Sequence, residues 1–196
     1  ILYASLRQGI QIETHVIGDR AVRSLLDWYD EAYNYVPKSE WASEDLRWRM
    51  EHAQIIPPSD QQRFVELGVL PSMQPSHAIG DLNFAPDRLG RDRLSYAYPW
   101  QQLVDRGLMI LAGSDAPVEE GDPRIEFYAA VARSRLNGTS EAGWHPELAV
   151  SRETALLMLT LWPAHGAFQE DLRGSIEVGK YADFTIFDND IMTIPV

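Results

Sequence analysis

The stretch LMILAGSDAPV, residues 108–118, indicates how this chain folds. Its apolar run ends abruptly at Gly113, and Pro117 prevents a strand from continuing further. Apolar side chains on both faces are typical of a parallel strand buried between two layers. Such a strand delivers its last residues to the carboxyl edge of the sheet, where α/β enzymes keep their chemistry. Asp115 is the residue that this strand places there.

Three further predicted strands end at or near a histidine. Residues 10–15 alternate in polarity and end at His15, residues 46–52 end at His52, and residues 69–73 are followed by His77. Predicted helices separate these strands, which is the order typical of a parallel barrel or sheet. The polar positions of the second strand, Arg47, Arg49 and Glu51, are all charged. A bulge or a buried ion-pair network would explain them, and the sequence leaves both open.

Composition narrows the class of protein. The chain has 196 residues and is 45% hydrophobic, which is enough for a packed core, so wholesale disorder is excluded. A net charge of −12 makes nucleic acid and anionic membrane surfaces poor partners. No apolar run is long enough to span a bilayer. The absence of cysteine excludes thiolate metal ligands and agrees with a reducing compartment, so we expect a cytoplasmic location.

Two imidazoles and a carboxylate at one sheet edge are a donor set that suits zinc and related divalent metals. A structural interpretation competes with this one, because a single histidine at a strand end is commonly capped or partly exposed. Asp115 also lies close to Pro117, where it would serve as the N-cap of a helix. Spacing alone leaves the two interpretations open. His145 and His165 are interpreted as a loop residue and a structural residue.

Five short motifs occur in one order along the chain, and together they cover most of it. They are HVIGD (residues 15–19), EHAQ (51–54), QPSH (74–77), GSDAPV (113–118) and GSIEVGKYADFTIFD (174–188). The ordered set resembles the carboxyl-terminal half of the amidohydrolase superfamily, in the amidohydrolase-3 branch that includes N-substituted formamide deformylase-like proteins. The resemblance implies an α/β fold, namely the C-terminal half of a (β/α)8 TIM barrel plus part of a small β-sandwich. Residues 1–170 would hold barrel strands five to eight, and residues 171–196 would form the partial β-sandwich appendage.

The resemblance also implies roles for four side chains. His15, His52 and Asp115 would bind a divalent metal, with zinc the expected ion and its number undetermined. Asp115 would in addition act in catalysis, by accepting the proton of the attacking water. His77 would line the substrate pocket. We therefore expect His15, His52 and Asp115 to converge on one point, with His77 near the same rim.

The implied activity is metal-dependent hydrolysis of non-peptide C–N bonds in small amides, formamides or cyclic amides. The family takes further metal ligands from a His-x-His pair in its first strand, and this sequence contains no such pair. We accordingly expect a fragment that associates with its missing half or with a second copy. The alternatives are a non-catalytic fragment and a barrel lyase or isomerase.

Overall fold

Four parallel strands form one sheet in the computed structural model, which describes residues 1–138 and 144–195. Each strand pairs with the next along the chain, in the order β1-β2-β3-β4. The strands are β1 (Glu13–Val16), β2 (Arg49–His52), β3 (Leu70–Met73) and β4 (Leu111–Ala112). The predicted parallel α/β arrangement is confirmed. Within the described residues the sheet is open, because β1 and β4 each have one neighbouring strand, and its closure into a TIM barrel stays a prediction.

Helices connect the strands and follow the last one. Those found in the described residues are α1 (Leu2–Gln8), α2 (Asp19–Tyr35), α3 (Pro58–Leu67), α4 (Pro75–Asp81), α5 (Ala85–Leu89), α6 (Arg91–Leu94), α7 (Trp100–Val104), α8 (Pro123–Ala132), α9 (Arg152–Leu159) and α10 (Leu161–Gly166). Short 3-10 helices lie at Lys38–Glu40 and Pro146–Leu148. In this part of the chain no helix has the length and apolarity needed to cross a membrane.

Turn chemistry sets several helix ends where the sequence predicts them. Gly9 and Gly68 follow α1 and α3 with φ of 67° and 64°, a left-handed conformation that glycine adopts without a Cβ penalty. The sequence also predicts Asp19 as the N-cap of α2, because Asp is a preferred capping residue, and this prediction is wrong by one residue. Gly18 occupies the cap position, and the Asp19 carboxylate instead accepts a hydrogen bond from the backbone N–H of Arg20 at 2.8 Å.

Residues 78–95 have no clear hydrophobic period and contain several Gly, Pro and Asp residues, so the sequence predicts a long loop there. In the structure this segment is largely helical. It contains the end of α4 and the whole of α5 and α6. These helices are four to seven residues long, and so few residues display no hydrophobic period in the sequence. The segment between β3 and α7 is therefore a series of short helices that begins at the carboxyl edge of the sheet.

The core lies between one face of the sheet and its helices. Its largest fully buried side chains include Trp48, Trp100, Tyr29, Phe64, Met50 and Met73. Because side chains alternate along a strand, burial of Met50 leaves Arg49 and Glu51 on the other face. Arg49 pairs with Glu13 on β1 at 2.7 Å, and the Glu13 side chain is 42% exposed. Because this ion pair is partly exposed and the register of β1 and β2 is continuous, the described residues show neither a buried ion-pair network nor a bulge on this face.

The predicted β-sandwich appendage contains no strand within residues 171–195, and Val196 lies outside the described residues. Its alternating apolar side chains are exposed, among them Ile176, Val178, Phe184 and Ile186. A strand is stable only when a neighbour satisfies its backbone N–H and C=O groups. The described residues provide no such neighbour. The alternating apolar pattern that is typical of strands is therefore present in this segment, but no strand forms there. The domain boundary at residue 170 stays a prediction.

Candidate metal and catalytic site

Two histidines from neighbouring strands contact each other at the carboxyl edge of the sheet. The ring centroids of His15 and His52 lie 4.5 Å apart, with the ring planes at 76°. In the register of β1 and β2, His15 is opposite Glu51 and Val16 is opposite His52. Strand alternation would therefore place the two imidazoles on opposite faces of the sheet. They meet because His52 leaves the extended conformation, with φ of 71°.

The backbone is strained at the end of β2 and just beyond the end of β4. His52 and Ala53 have φ of 71° and 42° in succession, and Asp115, beyond β4, has φ of 58°. Such values are unfavourable for residues with a Cβ and persist where the surroundings hold them. Here the Ala53 N–H donates to the carbonyl of Val16 at 2.7 Å, and Ala53 itself is fully buried. Strain of this kind is concentrated at functional sites, which supports a functional role for this edge.

A buried glutamine connects His52 to an acidic residue. Gln74 directly follows β3 and is almost completely buried. Its Oε1 lies 2.8 Å from His52 Nδ1, and its Nε2 donates a hydrogen bond to Glu51 Oε1. The other ring nitrogen of His52, Nε2, is left for a further partner. Metal-binding histidines commonly have an outer hydrogen bond of this kind on the second ring nitrogen.

Glu51 is a carboxyl group whose surroundings favour its neutral form. Burial, followed by the hydrogen bond with Glu13, raises the pKa of Glu51 to about 7. Hydrogen bonds from Ser72 and Gln74 oppose that rise. Glu13 is in turn paired with Arg49. The polar face of β1 and β2 is therefore a hydrogen-bonded network that reaches the histidine edge through Gln74.

His77, on α4, lies between the histidine pair and Asp115. Its ring stacks on that of His52 with centroids 5.6 Å apart, and its Nε2 is 4.0 Å from Asp115 Oδ2. Burial lowers the pKa of His77, against a smaller rise caused by Glu119. The ring is therefore neutral at pH 7 and forms no charged pair with Asp115. Within the described residues, the buried Nε2 has no hydrogen-bond partner.

A second polar group lies one helical turn further along α4. Asp81 is four residues after His77, so the two share a face of the helix. Its Oδ2 accepts hydrogen bonds from the Tyr98 hydroxyl at 2.5 Å and from Gln54 Nε2 at 3.2 Å. Burial raises the pKa of Asp81, and these hydrogen bonds partly offset the rise.

The predicted residues are thus brought together in a row. His15 contacts His52, His52 contacts His77, and His77 approaches Asp115. In residues 1–138 and 144–195, no three His, Asp or Glu side chains form a group able to hold a metal ion. The ligand set His15, His52 and Asp115 and the roles of Asp115 and His77 therefore stay predictions. His145 and His165 make their own pairs, with Glu147 and Glu170.

Sequence reasoning missed the polar residues that support this row. Glu51, Gln54 and Gln74 belong to the motifs EHAQ and QPSH but received no role, and Asp81 falls in the predicted loop. One signal for Gln74 was available: it is a polar residue directly after a buried strand, one position beyond the residue level with His52. Such residues lie at the carboxyl edge of a parallel sheet.

The chain is similar to known proteins over most of its length. Residues 4–196 match the amidohydrolase family. The protein LONG AFTER FAR-RED 3 of Arabidopsis thaliana is 31% identical over 188 residues, which cover 95% of this chain and 31% of that protein. N-substituted formamide deformylase of Arthrobacter pascens is 32% identical over 183 residues, covering 93% of this chain and 32% of that enzyme.

Solved structures resemble the chain in the same region. The crystal structure of an uncharacterized metal-dependent hydrolase from Pyrococcus furiosus is 28% identical, with a TM-score of 0.78. That match covers 98% of this chain and 37% of the hydrolase. The chain therefore spans about a third of the length of these relatives. With a family match over nearly every residue, the chain belongs to the amidohydrolase family, in its amidohydrolase-3 branch.

Proposed function

We propose that this chain is part of a metal-dependent hydrolase that cleaves non-peptide C–N bonds in small amides, formamides or cyclic amides. The observation that carries the proposal is the contact between the rings of His15 and His52 at the carboxyl edge of the sheet. Parallel α/β enzymes assemble their reactive groups at this edge. The similarity to N-substituted formamide deformylase supports the choice of an amide-type substrate.

The chemistry of the donors fits a divalent metal, with zinc as the proposed ion. His15 and His52 present two adjacent imidazoles, and the hydrogen bond between His52 Nδ1 and Gln74 leaves the second ring nitrogen, Nε2, available to a metal. Asp115 would supply the carboxylate. A bound divalent metal supplies Lewis acidity, which lowers the pKa of water and polarises a carbonyl group.

The chain's own residues would orient the substrate and move the proton. Asp115, with its side chain 40% exposed, would accept the proton from water and return it to the leaving nitrogen. His77 would bind the substrate through Nε2, which is buried and lacks a hydrogen-bond partner among the described residues. A neutral His77 can donate or accept at that nitrogen, according to its tautomer.

A complementation experiment tests this function. The 196-residue chain is assayed with zinc on a panel of N-formyl and cyclic amides. It is assayed alone and together with a second polypeptide that supplies the part of the relatives' length that this chain does not cover. We expect hydrolysis only in the supplemented sample, because further ligands and strands have to come from outside these residues. The Asp115→Asn variant of the supplemented sample is the matched control and is expected to be inactive. Absence of hydrolysis from a supplemented, folded sample would contradict the proposal.

One observation favours a second candidate function for the isolated chain, that of a non-catalytic fragment. The residues described here form no group of three metal-binding side chains. On this candidate the chain binds its complement and contributes strands but no chemistry. The same experiment separates the two candidates, since a non-catalytic fragment would leave the supplemented sample inactive while still forming a complex.

A further inference from the structure

Gln74 is a buried amide held between a carboxyl group and an imidazole. Its side chain contacts two successive residues of β2: Nε2 donates to Glu51 Oε1, and Oε1 lies next to His52 Nδ1. We propose that Gln74 is a positioning residue that selects the tautomer of His52, with the proton on Nδ1 and Nε2 bare. The consequence for metal binding rests on the proposed function, whereas the tautomer itself is a property of this chain alone.

The direction of the amide follows from its two neighbours. Gln74 Nε2 donates to Glu51 Oε1, so the NH2 end of the amide faces Glu51 and the oxygen faces His52. A flipped amide would set its oxygen against Glu51 Oε1, and the hydrogen bond that Oε1 accepts here would be lost. Glu51 also hydrogen-bonds to Glu13 and to Ser72.

The tautomer then follows from the direction of the amide. An amide oxygen only accepts hydrogen bonds, so the nitrogen 2.8 Å away, His52 Nδ1, has to carry the proton. A neutral imidazole has one N–H, and Nε2 is therefore left with a free lone pair. The rings of His15 and His77, at 4.5 Å and 5.6 Å from that of His52, restrict its rotation. Gln74 thus presents Nε2 in the form that a metal requires.

Nitrogen NMR of the metal-free chain tests the assignment directly. Long-range proton–nitrogen spectra of the 15N-labelled 196-residue chain, recorded at neutral pH with a chelator, distinguish a protonated from a bare ring nitrogen. The chain has five histidines, and loss of signals in His52→Gln identifies the pair that belongs to His52. We expect a protonated Nδ1 and a bare Nε2. A His52 that is protonated on Nε2 in the parent chain would overturn the proposal, whatever any variant does.

Two variants test the cause. Gln74→Met removes the amide at similar volume and is expected to shift the tautomer ratio of His52 by about five- to tenfold toward Nε2–H. Glu51→Gln keeps the shape but provides a neighbour that both donates and accepts, so the Gln74 amide is free to flip and the ratio should move in the same direction. It serves as the second test if Gln74→Met does not fold. An unchanged ratio in either folded variant would overturn the role of Gln74.

Gln61→Met is the matched control. Gln61 is also fully buried, and its amide donates to the carbonyl of Ile56 and to Gln102 without touching a histidine. A general loss of packing would act equally in both variants, but only Gln74→Met should change the His52 spectrum. If the hydrolase assay fails but His52 is protonated on Nδ1, the proposed function is contradicted and this inference holds. If the hydrolase is active but His52 is protonated on Nε2, this inference is contradicted and the proposed function holds.

Discussion

The imidazoles of His15 and His52 contact each other although strand alternation assigns them to opposite faces of the sheet. The left-handed backbone of His52 at the end of β2 produces this contact. A strained conformation of this kind costs of the order of 1–3 kcal/mol, so the surrounding hydrogen bonds have to hold it. The pair is therefore a product of the folded structure and not of the strands as such.

Zinc binding should depend on both members of this pair. His15→Ala and His52→Ala are each expected to weaken zinc binding by at least about tenfold, because each removes an imidazole donor. Affinity should also decrease at acidic pH, since protons compete with the metal for imidazole nitrogen. Isothermal titration of the chain, with His145→Ala as the control, measures both effects. Tight binding that survives both substitutions would contradict the proposed site.

Asp115 is expected to matter for turnover more than for stability. Asp115→Asn, in the supplemented hydrolase, should reduce kcat by about 10²–10⁴-fold through the loss of the proton acceptor. Its side chain is 40% exposed, so the melting temperature should change little. Steady-state kinetics and thermal unfolding check the two parts. Asp30→Asn, exposed on α2, is the control, and equal kinetics for both variants would argue against a catalytic Asp115.

Arg133 is a fully buried cation that ties three segments together. It follows α8, donates to the carbonyls of Trp144 at 2.6 Å and Tyr98 at 3.0 Å, and lies over the ring of Trp100 at 4.5 Å. Arg133→Ala should lower the free energy of unfolding by roughly 2–5 kcal/mol, because the carbonyls lose their donor and a cavity is left. Arg106→Ala, at an exposed site, should change it by less than about 0.5 kcal/mol. Denaturant unfolding measures both, and equal values would contradict the assigned role.

Gly166 allows α10 to pack against the edge strand. A Cβ at this position would lie 1.9 Å from Leu111 Cδ2, so Leu111 has to move in Gly166→Ala. We expect a loss of about 1–3 kcal/mol of stability from this overpacking. Gly113→Ala, just beyond the same strand, meets no atom within 4 Å and should be close to neutral. If both variants unfold at the same denaturant concentration, the packing of α10 on β4 differs from that described here.

Stability should depend on pH through Glu126. This residue is 1% exposed, accepts a hydrogen bond from the backbone N–H of Ser76 at 2.8 Å, and has its pKa raised above the ordinary 4.5 by burial. The folded chain therefore holds the proton to higher pH than the unfolded chain does. Its contribution is fully present at acidic pH and is lost as the pH rises above 4.5 through the raised pKa.

The isosteric amide isolates this contribution. Glu126→Gln keeps the acceptor for Ser76 and cannot ionise, so the parent should lose stability relative to the variant as the pH rises from below 4.5 to above the raised pKa. Urea unfolding of both proteins across this range measures the difference. A difference that does not change with pH would show that Glu126 titrates alike in the folded and unfolded chains.

Local patterns predicted much of the fold. The hydrophobic periods of β1 to β3 and of α2, and the glycines after α1 and α3, predict elements that the structure confirms. They succeed because each depends on residues within a few positions of one another. The short helices α4 to α6 were less predictable, since each is too brief to display a period and depends on its neighbours. The strand predicted from the apolar run before Gly113 is present, although only Leu111–Ala112 of it forms β4.

The sequence by itself determined the parallel α/β order and identified the four residues that lie in a row at the carboxyl edge of the sheet. It did not determine that the rings of His15 and His52 meet, because that contact depends on the φ of a single residue. Nor did it predict the link from Glu51 through Gln74 to His52, which joins residues 22 and 23 positions apart. Alternation and apolar period are local properties of a chain, whereas the direction of a buried amide is decided by both groups that tertiary folding brings against it.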